Sequence, residues 1–357
     1  MDSLLYDIHK TYDGNFKQGP IGLSKLKKPL FKKSKPRYNF LGFPVNLPFG
    51  IPAGPLLNSK FIKGSFDFGF SVSTYKTVRA DIFPCHPYPN VMYVKAPKKL
   101  FPYKTPRLIV QSKANKKQLT ITNSFGVPSK KPAIWQQDVK EAIRYERNGQ
   151  LLILSFMGTV KPNQTQEEFI EDFAIAAKLA KETEAKILEA NLSCPNIGNE
   201  GLVCYNLEVT EKVCQAIRKA IGDTPLILKV GYYKDLKDVK VLAKIANKYA
   251  NAIAAINTLQ VEIVDEDGNQ ALPGKNRLKS GVCGSAIKWA GIEMVEKLQK
   301  IKKGNKYNYE IVGIGGVMTP KDFFDYRKAG ADLVQSATGA MWNPYLAYEI
   351  FEKLNIK

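Results

Sequence analysis

The chain has 357 residues, of which 44% are hydrophobic and 24% charged, and a formal net charge of +20. That composition excludes a disordered chain, and the length suffices for one large core. Five cysteines without a C-x-x-C pair and only two histidines exclude a secreted disulfide framework and argue against iron–sulfur, structural zinc or histidine-rich metal sites.

Residues 1–40 read as a basic N-terminal extension, and 41–357 as the body of the protein. The extension carries an apolar stripe, Leu4, Leu5 and Ile8, expected on a short helix docked against the body. Its densest basic run is Lys27-Lys28-Pro-Leu-Phe-Lys32-Lys33-Ser-Lys35-Pro-Arg37. Of the 53 basic residues 45 are Lys and 8 Arg, a pattern of solvated surface rather than nucleic-acid readout, which favours Arg forks. No segment approaches the ~20 apolar residues that span a bilayer, and no leader pattern opens the chain. The expectation is a cytoplasmic protein with reduced thiols and no membrane insertion.

From residue 41 onward, short β-rich runs alternate with amphipathic segments. Strands are predicted at Phe49–Ala53, Ser71–Lys76, Leu151–Phe156, Ile187–Asn191, Leu226–Val230, Ala252–Asn257, Ile311–Gly315 and Leu333–Ser336. Helices are predicted at Thr165–Glu184, Leu207–Ile221, Lys237–Tyr249, Lys288–Lys300, Pro320–Ala329 and Pro344–Leu354. Eight such units predict an α/β fold, a TIM (β/α)8 barrel. An open doubly wound sheet is the alternative, but the early G-x-G-x-x-G it would usually carry is missing. Two connections are long. Residues 77–150 contain the strand-like runs Val91–Val94 and Leu119–Thr122 and are expected to fold as a small capping insertion. Residues 258–285 are expected to form a lid loop.

In such barrels the chemistry sits at the C-terminal strand ends. There the sequence places Lys76, Asn191-Leu-Ser-Cys194-Pro-Asn196, Lys229, Asn257-Thr258, Gly313-Ile-Gly315-Gly316 and Thr338, while the insertion adds Asn123-Ser-Phe-Gly126. Taken singly, each has an ordinary reading: a snorkelling Lys, a turn Asn, a tight glycine turn, a small buried Cys. Together they describe one mouth. Buried Lys suits an anion or electron-rich ring, amides suit a heterocycle with C=O and N–H edges, and glycine turns after the last strands suit a phosphate. That combination suggests bound flavin mononucleotide (FMN).

Asn191-Leu-Ser-Cys-Pro-Asn196, Ala53-Gly-Pro-Leu-Leu57, Tyr75-Lys-Thr-Val-Arg79, Asn123-Ser-Phe-Gly126 and Gly313-Ile-Gly-Gly316 resemble the signatures of the dihydroorotate dehydrogenase family, over roughly residues 45–350. The resemblance implies an FMN enzyme that oxidises dihydroorotate to orotate in pyrimidine biosynthesis, of the soluble branch whose base is Cys. It puts Cys194 in that role, taking a proton from C5 while C6 gives a hydride to flavin N5, with Lys76 beside it. Asn123, Asn191, Asn196, Asn257 and Thr258 would bind the substrate. Ala53, Gly54, Lys76, Thr77, Asn191, Lys229, Gly281, Gly284, Gly315, Gly316 and Thr338 would surround the cofactor. The chain departs from the family pattern at Ala337-Thr338, at Cys283 and in an insertion over 261–279.

Three other readings remain at this stage. A dihydropyrimidine dehydrogenase-like flavoprotein would need no carboxylate site. A tRNA dihydrouridine synthase needs a helical RNA-binding domain after the barrel, for which about 20 residues do not suffice. A basic polyanion-binding scaffold leaves the strand-end residues unexplained. The electron acceptor stays open between fumarate, NAD through a partner and a quinone. A homodimer is the default expectation for assembly.

Overall fold

The predicted strands are short and apolar throughout because they are buried on both faces, between a barrel interior and a coat of helices. The computed structural model describes residues 3–30, 35–115, 118–193 and 203–355. In chain order, β1 (Tyr38–Phe40) and β2 (Phe43–Val45) form an antiparallel hairpin, and β3 (Phe49–Ile51) and β4 (Val72–Val78) begin the barrel. β5 (Val91–Lys95), β6 (Arg107–Gln111) and β7 (Thr120–Asn123) leave it to build the cap. β8 (Leu151–Phe156), β9 (Ile187–Asn191), β10 (Leu226–Val230) and β11 (Ala252–Ala255) return to the barrel. β12 (Leu259–Val264) and β13 (Lys279–Gly284) rejoin the cap, and β14 (Glu310–Ile314) and β15 (Leu333–Gln335) close the barrel. Its eight strands run parallel in the order β3-β4-β8-β9-β10-β11-β14-β15, so the TIM barrel expected from the sequence is the fold observed.

The barrel interior is a packed core rather than a pore. Val72, Ile153, Ile187, Ile227, Ala254, Val312 and Leu333 meet there, joined by Phe40 and Val45 of the hairpin. Several of these residues open their strands, so the hairpin plugs the N-terminal end and leaves the C-terminal end for a site. Outside, the helices bury the stripes read from their periodicity. The helix Gln166–Lys181 buries Phe173, Ala176, Ala177 and Ala180, and a capping box between Thr165 and Glu168 sets its start.

Three segments differ from expectation. Residues 77–150 are not all cap, because Pro132–Arg144 is a helix that packs against β8 and the helix Ser59–Asp67, as a barrel helix does. Residues 258–285 are not an open loop. Leu259, Val261 and Ile263 alternate inward, the mark of a half-buried strand, and β12 and β13 complete a small closed sheet, β12-β13-β7-β5-β6. Residues 4–8 dock with Leu5 and Ile8 buried, yet they form no helix. The backbone N–H groups of Leu4 and Leu5 donate instead to Met341 O at 2.7 and 3.2 Å. The first helix starts at Tyr12, where Thr11 caps it.

Candidate active site

Side chains alternate along a strand, so residues two apart share a face. Ile187 of β9 and Ile227 of β10 point into the barrel core. Continuing by twos leads to Glu189 and Asn191 on β9 and to Lys229 on β10, with Asn191 and Lys229 in register. Period-two alternation thus carries an amide and an ammonium to the barrel mouth. They line a cavity with about 1110 Å³ of empty space, its open mouth included. Ala53 and Gly54 after β3, Lys76 and Thr77 on β4, Asn257 and Thr258 after β11, and Asn123 at the end of β7 share that lining.

Beneath the mouth lies a layer of buried polar groups. Asn191 Nδ2 donates to Thr77 Oγ1 at 3.4 Å, and Thr77 Oγ1 lies 2.9 Å from Ser155 Oγ. Gln335 Nε2 donates to Thr74 Oγ1 at 3.0 Å. Glu189 and Lys229 are 1% and 4% exposed. Burial pushes the Glu189 carboxyl up while Lys229 and Ser155 draw it back, and burial pulls the Lys229 ammonium down against the opposing pull of Glu189. Asn257 Nδ2 donates to Ser193 O and, at 3.1 Å, to Ser193 Oγ.

The loop after β7 is set by two buried arginines. Arg79 donates from Nε to Val127 O at 2.9 Å and from Nη2 to Gly126 O at 3.2 Å. Arg277 donates from Nη2 to Ser124 O at 3.0 Å and to Pro89 O at 3.1 Å, and from Nη1 to Pro87 O at 2.8 Å. A guanidinium holds several donors in one plane, which a Lys cannot. The loop carries Phe125, whose ring centroid lies 5.6 Å from Lys76 Nζ. His86 supports it from below, with Nδ1 3.2 Å from Ser124 Oγ. Burial, Arg277 and Arg79 push the His86 pKa down to about 4, so the imidazole is neutral at pH 7.

Another part of the cavity wall is backbone. Gly284, Gly315, Gly316, Thr338 and Gly339 line it. A Cβ on Gly316 would meet Gly284 O at 2.8 Å, so the two turns pack backbone to backbone and expose peptide groups to the cavity. Cys283, the departure noted in the sequence, accepts from Asn123 Nδ2 at 3.4 Å and also bonds Thr338. Burial pushes its thiol up, so it joins Asn123 to Thr338 as a neutral group.

Most of the predicted set therefore converges. Gly281 does not line the cavity. It pairs with Asn123 on β7, and a Cβ there would run into Thr258 Oγ1, so it serves close packing beneath the site. Cys194 and Asn196 lie outside the described residues. The sequence reading missed Tyr6, Cys283, Ser336, Met318 and Met341 on the walls. Ser336 adjoins a predicted strand end and was within reach of that reasoning. Nothing local marks Tyr6, which comes from the extension. Among the described residues no group of three metal-ligating side chains occurs, and no helix is long and apolar enough to cross a membrane.

The comparisons with known proteins bear on the family. The family model described as dihydroorotate dehydrogenase matches residues 37–357. A dihydroorotate dehydrogenase of Dictyostelium discoideum is 35% identical over 355 residues, covering 96% of this chain and 95% of the relative. The catalytic subunit of dihydroorotate dehydrogenase B (NAD(+)) from Maridesulfovibrio salexigens is 32% identical over 53% of this chain and 58% of its own length. The corresponding subunit of Methanocaldococcus jannaschii is 27% identical over 65% and 69%. With its barrel, its strand-end residues and these matches, the chain belongs to the dihydroorotate dehydrogenase family.

Proposed function

We propose that the chain oxidises dihydroorotate to orotate, in the synthesis of pyrimidine nucleotides, with FMN held in the barrel mouth. The observation that carries this reading is the convergence of Lys76, Asn123, Asn191, Lys229 and Asn257 on one cavity with a backbone-lined end. The residues present fit the cofactor. A Cβ on Gly316 would meet Gly284 O at 2.8 Å, so the cavity wall there carries no side chains that would exclude a phosphate. Gly315, Gly316 and Thr338 offer the backbone end for a phosphate, and Ala53 and Gly54 leave room for a flat ring. FMN supplies the hydride acceptor. Lys229 would hold negative charge at the ring edge, and Glu189 below it keeps the ammonium from facing the apolar core alone.

Cys194 would take the proton from C5 of the substrate, a role that rests on the resemblance of Asn191–Asn196 to the family motif. A free thiol titrates near ~8.5, so the rate of reduction should climb with pH toward that value. Asn123, Asn191, Asn196 and Asn257 would hold the pyrimidine edges. A cytoplasmic homodimer accompanies this reading, and sedimentation of the purified protein tests the pairing.

Anaerobic addition of dihydroorotate to the purified, flavin-loaded protein is the test. Bleaching of the flavin absorbance supports the assignment, and a flavin that bleaches only with dihydrouracil overturns it in favour of the uracil-type branch. Cys194→Ser should keep the flavin and slow its reduction by a factor of about 100 or more, and unchanged reduction would remove Cys194 from the mechanism. Fumarate, NAD and a quinone, offered in turn to the reduced enzyme, identify the acceptor.

A further inference from the structure

Lys76 stands where β4 changes register. Tyr75 pairs with Leu154 of β8 and Val78 with Phe156, and the irregularity lies between them. Such a bulge re-aims the side chains it carries, and here Lys76 and Thr77 both line the cavity. The backbone of Lys76 is fixed, its N–H donating to Leu56 O at 2.9 Å. The side chain is a long flexible stem that must be ordered before its charge can meet a ligand. Its Nζ lies over the ring of Phe125, 5.6 Å from the centroid and inside the ~6 Å range of a cation–π attraction. The residue is 7% exposed, and that attraction is strongest where water is excluded.

The ring is held in turn. Phe125 lines the cavity from the loop after β7. Its carbonyl accepts from His86 N at 3.0 Å, and the preceding N–H, of Ser124, donates to Asn90 O at 2.8 Å. Tyr6 meets the ring edge-on at 5.6 Å between centroids, and Tyr12 meets it at 6.1 Å. Both tyrosines come from the extension, which Ser3, Leu4 and Leu5 bind to Met341 O. The ring therefore has little freedom, and the ammonium takes its place from it. An aliphatic side chain of similar bulk would fill the space but present no negative face.

We propose that Phe125 is a positioning residue for Lys76, its ring face holding the ammonium at the cavity wall so that an anionic ligand meets a charge already in place. The inference rests on the functional reading above, under which that ligand is the carboxylated dihydropyrimidine. Phe125→Leu and Phe125→Met keep apolar bulk and remove the face, and thermal melts show which of the two is folded for titration. In the flavin-loaded enzyme, orotate and uracil are titrated by the change in flavin absorbance. A folded variant should bind orotate about 3- to 30-fold more weakly, the worth of a cation–π contact at a desolvated site. Uracil brings no carboxylate, and its binding should stay as in the wild type. KM for dihydroorotate should rise more than kcat falls. In a Lys76→Met background the same Phe125 substitution should cost orotate no more than about 2-fold, because the ring acts through the ammonium. Unchanged orotate binding overturns the inference. So does an equal loss for orotate and uracil, which means that the ring only packs, and so does a full loss repeated in the Lys76→Met background. A wild-type flavin that dihydroorotate does not bleach overturns the functional reading instead, and this inference with it.

Discussion

Lys229 shows what a single residue does in this site. It reaches the mouth because β10 alternates, and it is stable there because Glu189 lies on the neighbouring strand, two residues below Asn191. Burial works against the charge on both groups, and each is eased by the opposite charge of the other. Lys229→Met should therefore destabilise the protein, by about 1–3 kcal/mol, because Glu189 can take up a proton once the ammonium is gone. Lys229→Met combined with Glu189→Gln should recover part of that loss, read as the shift in denaturant midpoint. If the double variant is as unstable as the single one, the two side chains do not compensate each other. The buried position of Lys229 was legible from its place at a predicted strand end. Its partner was not, because adjacency between Glu189 and Lys229 exists only across the strand pair.

At the scale of elements, the loop 123–127 depends on parts brought from three places. Arg79 follows β4, His86 belongs to the insertion, and Arg277 precedes β13. In a chain with 45 Lys and 8 Arg, two arginines buried among carbonyls mark positions where a planar fork is needed. Arg277→Lys should cost about 2 kcal/mol, since one ammonium cannot reach both Ser124 and the Pro87–Pro89 carbonyls. The KM for dihydroorotate should rise more than kcat falls, because the loop carries binding groups. Steady-state kinetics alongside thermal melts check this, and unchanged KM would show the clamp to be dispensable for the site. Here the sequence was partly legible. The motif Asn123–Gly126 stood out, whereas β12 and β13, which present Arg277, were read as a loop although Leu259–Val264 alternates clearly.

For the whole molecule, the extension is tied to the barrel at Asp67. This carboxylate, at the end of the helix Ser59–Asp67, receives Lys28 at 2.8 Å, Lys63 at 2.9 Å and Arg147. Burial alone would raise its pKa, but hydrogen bonds from the three cations prevail and hold it down to about 2. A carboxyl lowered on folding stabilises the protein above its unfolded pKa and ceases to do so as pH falls through the folded one. The contribution should be complete above about pH 4 and lost by about pH 2, worth about 1–2 kcal/mol after allowing for the solvent around the three cations. Asp67→Asn should flatten the stability curve in that acid window, and a curve unchanged from wild type would dismiss the tie. The sequence by itself determined the eight barrel strands, six of the helices outside them and which residues stand at the strand ends, because burial on both faces and period-two alternation are local properties of short apolar runs. Only the tertiary structure decided that the basic extension folds over the mouth and brings Tyr6 into it, that two distant arginines shape one loop, and that Glu189 sits under Lys229. Each of these depends on contacts between residues far apart in the chain, where neither spacing nor composition leaves a mark.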